Sequence, residues 1–412
     1  MPNADVVVVG GGIVGTCTAI ELQRRGRAVT VVERDEMGAG TAAGSAGYLA
    51  YDDIFPIPSP AVAAGLARML FDKRGPLVVA PTYLPHLAGW GLRFLLAARP
   101  EAVRRAIAAL APLNRLAAHA HDDLAARAGA SRYLVRESVF HVCASAKTLE
   151  MTAKLIPVLA SEGFRAEAID RDALLAAEPI VSRDVAGAVV FPDSHRCTNP
   201  GAYGAALAQH FRANGGVVLH ARADAVEPFG NGWIVRAGAD DVRAPRVVIA
   251  AGAWSGRLLR GLGYSVPLES ARGYHLMLAQ PGVAPTRTLL FEEDHFCATP
   301  MEDGLRLAGT VEFAGLDAPP NFYRSDLLYE IARKYLPQLR RDPATRWMGN
   351  RPSLPDSLPA IGELPRHPGI VVAFGHERRG LMQSAITARC VADLLEHEAP
   401  PVDLTAFRIG RF

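Results

Sequence analysis

Lysine is scarce in this chain. Of 44 basic residues only Lys73, Lys147, Lys154 and Lys334 are lysines, and the remaining 40 are arginines, so an arginine carries information only through its position. Cysteine is scarce as well. Cys17, Cys143, Cys197, Cys297 and Cys390 lie far apart, form no CxxC pair and are odd in number. That argues against a disulfide framework and a zinc site, so no metal is expected, and it fits a reducing cytoplasm. Net charge is only +2 and the basic residues are scattered, which leaves no surface for tracking phosphates and makes nucleic acid an unexpected partner. No uninterrupted apolar run reaches the roughly 18 residues of a membrane-spanning helix. The opening MPNAD has neither a basic segment before an apolar core nor a small-residue cleavage site, so no conventional export signal is expected. Repeats, low-complexity tracts and long disordered linkers are missing too.

What the chain does have is core material. With 412 residues, half of them hydrophobic, two domains are expected. ADVVVVGGGIVGTCTAIELQRRGRAVTVVERD reads as strand, glycine turn, helix and strand, a βαβ unit. From Ser59 to Gly129, spacing and prolines predict three or four helices. Strand-like runs follow at Arg132–Val142 and Gly187–Pro192, with helices around Leu149–Gly163 and Gly201–Gly215. VVLHARADAVEPFGNGWIVRAG predicts strands turning at Gly230, Asn231 and Gly232, and VVIAAGAWSGRLL a buried strand entering a helix. Arg272–Phe313 is strand-like and Ser325–Tyr335 helical. The reading is an α/β chain in which a Rossmann-like nucleotide-binding domain is interleaved with an α+β cap domain carrying an antiparallel sheet. The expected division gives residues 1–50, 194–270 and 345–412 to the first and 51–193 and 271–344 to the second.

Gly10, Gly12 and Gly15 form G-x-G-x-x-G between a strand and a helix, and Glu33 ends the next strand. Each has a physical task. Gly10 permits a tight turn, Gly12 lets the backbone approach a pyrophosphate at the helix N-terminus, Gly15 lets helix and strand pack closely, and Glu33 accepts hydrogen bonds from a ribose. Ile13, Val14 and Arg34 flank these positions and belong to the same expected site. After Glu33 comes RDEMGAGTAAGSAGYLA, a long small-residue loop suited to wrapping a large flat group, which favours FAD over NAD.

The βαβ unit, the GTAAGSAG loop, VVIAAGAWS, WMGNRPSLPDSLPAIG and GHERRGLMQSAITARCVADLL together resemble the D-amino-acid oxidase family of FAD-dependent oxidoreductases. LPHLAGWGLRFLLAARPE, RGYHLML and ATPMEDGLRLAGTVEF are laid out as in bacterial D-amino-acid dehydrogenases. The resemblance implies that Thr41, Ala43, Gly44, Ser45, Ala46 and Gly47 pass the flavin, with Ala251, Gly252 and Trp254 on a second nucleotide-facing strand. It also implies that Gly375, His376, Gly380 and Leu381 close over the flavin's pyrimidine edge. A helix beginning after Gly380 would aim its positive end at the charge that develops there on reduction.

An amino-acid substrate needs a fixed cation for its carboxylate. In MGNRPSLPD the resemblance points to Arg351, the alternative being a structural pair with Asp356. In GHERRG it points to Arg378, the alternative being a solvated charge. The dehydrogenases carry neutral residues where this chain has Glu377, Arg378 and Arg379, and asparagine where it has Ser45. Tyr274 is expected to line the cavity and orient the amine, whereas His275 reads as a satisfied polar neighbour and His376 as a structural hydrogen-bonding residue. The implied reaction is hydride transfer from Cα to the flavin, giving an imine and then an oxo acid. Glycine or sarcosine-type oxidation and 2-hydroxy-acid oxidation remain open. No lysine falls in a flavin-facing motif, which favours a quinone or another carrier over oxygen as electron acceptor. A cytoplasmic protein is expected, with LPHLAGWGLRFLLAARPEAVRRA open to two readings: a helix resting on the inner membrane face, or one packed on its own domain.

Overall fold

The computed structural model describes residues 4–412 except 73 and 342. A six-stranded sheet runs in the order Ala360–Glu363, Ile370–Phe374, Arg246–Ile249, Val6–Val9, Val29–Glu33, Val217–His220. All neighbours are parallel except the first pair. The VVVV run of the central strand is wholly buried, as a parallel strand covered on both faces requires. The helices Ile13–Arg24, Pro200–Ala213 and Gly380–Glu396 pack together on one side, their apolar faces merging into one core with the residues beneath them. The opposite face is covered by the antiparallel meander Ala225–Phe229, Gly232–Arg236, Val242–Ala244, whose first turn falls at the Gly230–Gly232 signal.

The larger sheet is mostly antiparallel. Its order is Ala344–Ser353, Glu269–Leu278, Gly304–Phe313, Phe296–Met301, Leu289–Phe291, Leu134–Cys143, Gly187–Cys197, Tyr48–Leu49. Leu77–Val79 and Glu167–Asp170 pair alongside it. The chain thus passes between the two sheets repeatedly. Residues 345–353, assigned from sequence to the nucleotide-binding part, form most of an edge strand of the larger sheet, because ten consecutive residues of that strand pair with Glu269–Leu278. Gly187–Cys197 likewise runs past the expected boundary at 194 as one unbroken strand.

The helical stretch resolves into Pro60–Phe71, Leu84–Ala97 and Pro100–Arg127, the last two separated at Arg99 by the Pro100 that starts the next helix. Helices Ala146–Ala153 and Ile156–Ser161 replace the single helix expected near Leu149, since Pro157 suits the first turn of a new helix better than the interior of an old one. Among the described residues no helix is long and apolar enough to cross a membrane, no group of His, Cys, Asp and Glu could hold a metal ion, and the five cysteines are free and buried.

Candidate active site

A cavity of about 1520 Å³ runs from the glycine turn to the larger sheet. That exceeds what one drug-sized ligand needs and suits a dinucleotide together with a substrate. At its nucleotide end Gly10 has φ +103°, and a Cβ there would stand 2.5 Å from the Ala250 carbonyl oxygen. A Cβ on Gly15 would stand 1.8 Å from the Gly10 carbonyl, so only glycine lets the helix pack this close. Gly12 differs: a Cβ there meets nothing within 4 Å, because its α-carbon faces the open cavity. The helix Ile13–Arg24 has no side-chain cap, leaving the amides of its first turn for a ligand's phosphates. Glu33 accepts from the Gly11 amide at 2.6 Å and the Asp35 amide at 2.9 Å, which orients its carboxylate at the cavity wall. The Arg34 guanidinium lies 3.9 Å from the Trp254 ring centre, and both line the cavity.

The small-residue loop is held from the larger sheet. Arg306 donates to the Ser45 carbonyl at 2.6 Å and the Ala43 carbonyl at 3.3 Å, His275 Nδ1 is 2.8 Å from the Gly44 carbonyl, and Thr41 donates to the Asn350 carbonyl at 3.0 Å. Trp347 stacks on His275 and comes so close that a Cβ on Gly44 would stand 2.3 Å from its ring. Thr41, Gly44, Ser45, Ala46, Ala251, Gly252 and Trp254 line the cavity, as do Ile13 and Val14. Ala43 and Gly47 do not. Gly47, at φ +71°, turns the chain against the Cys197 carbonyl.

At the far end the closing loop turns at Gly375, φ +83°, where a Cβ would meet Leu354 at 2.4 Å. Gly375 shapes the loop without lining the cavity, whereas His376, Gly380 and Leu381 do line it. The helix Gly380–Glu396 has no side-chain cap and presents its N-terminus there. His376 is hydrogen-bonded with the Thr387 hydroxyl at 3.0 Å, and burial pushes its pKa down to about 3, so it stays neutral.

Arg351 reaches the cavity across Gly273, where a Cβ would stand 2.3 Å from its Cζ. Burial lowers its pKa, opposed by the Glu377 carboxylate. The expected alternative partner, Asp356, is taken by Arg411 at 2.7 Å, and Arg351 has no hydrogen-bond acceptor among the described residues. Arg378 also lines the cavity but is engaged: it donates to both Asp53 oxygens, at 2.8 and 2.7 Å. Burial works against its charge, yet Asp53 and Glu377 outweigh it and hold the guanidinium above its usual range. Arg379 is fully buried and donates to the Asp53 and Phe55 carbonyls at 2.9 and 2.6 Å, clamping the 53–55 segment.

Tyr274 is not in the cavity, contrary to expectation. The pleat turns it to the face opposite Ala271 and Gly273, where its hydroxyl donates to Glu312 and accepts from the Asn321 amide at 3.1 Å. Sequence reasoning passed over the lining residues Thr310, His141, Glu292 and Asp52. Thr310 sits at a β-bulge with φ +52°, its hydroxyl without a partner among the described residues. His141 Nδ1 is 2.7 Å from Glu292 and its Nε2 3.3 Å from the Tyr48 hydroxyl, itself 3.4 Å from Asp52. Burial, opposed by His141, pushes Asp52 up to about 6. The Asp52–Asp53 pair inside apolar YLAYDDIFPIP was the available signal, because two adjacent acids in such a stretch call for cations elsewhere. Lys147, Lys154 and Lys334 do not line the cavity, and Lys73 lies outside the described residues.

A profile of the FAD dependent oxidoreductase family, DAO, matches residues 5–394. The chain belongs to this family. FAD is therefore its cofactor, and the open α-carbon of Gly12, the uncapped helix behind it and the anchored small-residue loop fit that group. A D-amino-acid oxidase of Bradyrhizobium diazoefficiens is 35% identical over 100% of both chains, and a D-amino acid dehydrogenase of Dechloromonas aromatica 28% identical over 98% of this chain and 99% of the relative. Among solved structures, a glycine oxidase from Geobacillus kaustophilus superposes with a TM-score of 0.76 at 24% identity, covering both chains completely, and shares the DAO fold.

Proposed function

We propose that this DAO-family oxidoreductase oxidises an amino acid, of the D series, at its Cα–N bond. The observation that carries the reading is Arg351: a cation without an acceptor among the described residues, in the cavity beyond the nucleotide end, is what a substrate carboxylate requires. The names of the two relatives above agree with it. Bound FAD supplies the hydride acceptor. The chain's part is to hold the carboxylate on Arg351, keep Arg378 and Arg379 locked to Asp53 so that they do not compete for it, and leave the amine's lone pair free to form the imine as Cα–H breaks. Water then hydrolyses the imine to an oxo acid. Anaerobic bleaching of the flavin across D- and L-amino acids, N-methyl amines and 2-hydroxy acids tests it. Bleaching by hydroxy acids alone would sink the reading.

The acceptor proposed is a quinone or another carrier, since none of the described lysines lines the cavity. Leu92, Leu95 and Leu96 on helix Leu84–Ala97 are 61, 44 and 44% exposed, while Leu87 and Phe94 are buried on the other side, against the cavity. This outward apolar face, flanked by Arg93 and Arg99, supports a peripheral contact with an anionic membrane where a quinone would be met.

A further inference from the structure

Glu377 has φ +53°, a left-handed conformation that a side-chain-bearing residue keeps only where its surroundings enforce it. Its side chain is 8% exposed and lines the cavity that also holds Arg351. Oε2 has no hydrogen-bond donor among the described residues. The nearest cations are Arg378 Nη1 at 3.5 Å and Arg379 Nη1 at 4.0 Å, and both guanidiniums already donate to Asp53. A buried carboxylate oxygen left without a donor is costly, and where the backbone is also strained to place it, a missing donor is the physical explanation. Arg351 is its counterpart, a cation without an acceptor among the described residues, and Glu377 is the first of the charged groups acting on it.

An amino-acid zwitterion carries one anion and one cation on the same carbon. We propose that Glu377 receives the substrate's ammonium group while Arg351 holds its carboxylate. With two of the four substituents of Cα anchored, only two positions remain for the hydrogen and the side chain, and the enantiomer that reacts is the one whose hydrogen takes the position facing the hydride acceptor. One ammonium proton passes to the Glu377 carboxylate. The neutral amine's lone pair then forms the C=N bond as Cα–H breaks and its electron pair leaves as hydride to FAD. This rests on the amino-acid reading above.

The test uses the FAD-loaded full chain with two probes, D-alanine and propionate, the second having the same skeleton without nitrogen. In Glu377→Gln the D-alanine concentration that half-saturates anaerobic flavin reduction should rise at least roughly tenfold, while the propionate Kd read from the flavin spectrum shifts less than about threefold. The preference for D- over L-alanine should fall with it. Arg351→Ala should weaken both probes. Glu377→Gly guards against a folding artefact: it relieves the left-handed backbone, so Tm should rise while D-alanine binding weakens as in the glutamine variant. Unchanged D-alanine saturation in Glu377→Gln, or equal loss for both probes, would overturn the assignment while leaving the amino-acid reading intact. A wild-type flavin bleached by no amino acid would overturn both.

Discussion

Side chains decide the chemistry at one end of the cavity. Arg351 has no hydrogen-bond acceptor among the described residues, its expected alternative partner Asp356 being paired with Arg411, and Arg378 is engaged by Asp53. Replacing Arg351 by alanine removes the charge-assisted bond proposed for the substrate carboxylate, worth about 2–3 kcal/mol. The concentration of D-amino acid needed for half-maximal flavin reduction should rise by roughly two orders of magnitude with FAD still bound, as measured by anaerobic stopped-flow absorbance. Buried histidines govern the acid limb of stability. Burial holds His376 neutral down to about 3 and His121 and His275 to about 4, whereas in an unfolded chain they take up protons below ~6.5. The unfolded state then binds more protons, so stability falls as pH drops below ~6.5. Asp52 acts oppositely: raised to about 6, it binds a proton in the folded state first and offsets part of the loss. Between pH 6.5 and 5 each histidine contributes about 2 kcal/mol of loss, so Tm should drop by several degrees. His376→Asn should reduce that drop, as thermal melts at the two pH values will show.

At the scale of an element, the first strand, turn and helix divide their three glycines between folding and binding. Gly15 is a packing residue, since a Cβ would overlap the Gly10 carbonyl, whereas Gly12 lines the cavity and a Cβ there would meet nothing within 4 Å, so its proposed part is in binding. Gly12→Ala should fold with little change in Tm, its φ of −62° and ψ of 177° being ordinary extended backbone. Its FAD affinity should fall at least about tenfold, because the new methyl stands where the phosphates approach. Gly15→Ala should instead destabilise the apoprotein itself. Fluorescence titration with FAD, beside melts of both apoproteins, separates the two effects. Loss of stability in Gly12→Ala would show that its α-carbon is packed after all.

For the whole molecule, repeated crossing between two sheets is what builds the site. Arg306 and His275, on the larger sheet, hold the loop that leaves the smaller one. The helix Leu84–Ala97 turns Leu87, Trp90 and Phe94 to the cavity and carries Leu92, Leu95 and Leu96 on its outer face. If that face rests on a membrane, the protein should co-sediment with anionic vesicles and less with neutral ones. Replacing Leu92 and Leu95 by asparagine should release it without altering flavin reduction by D-amino acid, since neither residue lines the cavity. Equal recovery of both proteins in the supernatant would remove the membrane contact.

The nucleotide end was legible in the sequence because its determinants are local. Gly10, Gly12, Gly15 and Glu33 fall within one βαβ unit, where strand, turn and helix periods dictate which atoms meet. The sequence by itself therefore determined a dinucleotide site, and with the small-residue loop and closing glycines it determined the DAO fold. The substrate end was decided only by tertiary structure. Arg378 and Asp53 are 325 positions apart, Asp356 pairs with Arg411 and not with Arg351, and the alternation of one strand turned Tyr274 away while a bulge brought in Thr310. Which charges cancel and which stay free depends on distances between segments that only the packed sheets establish.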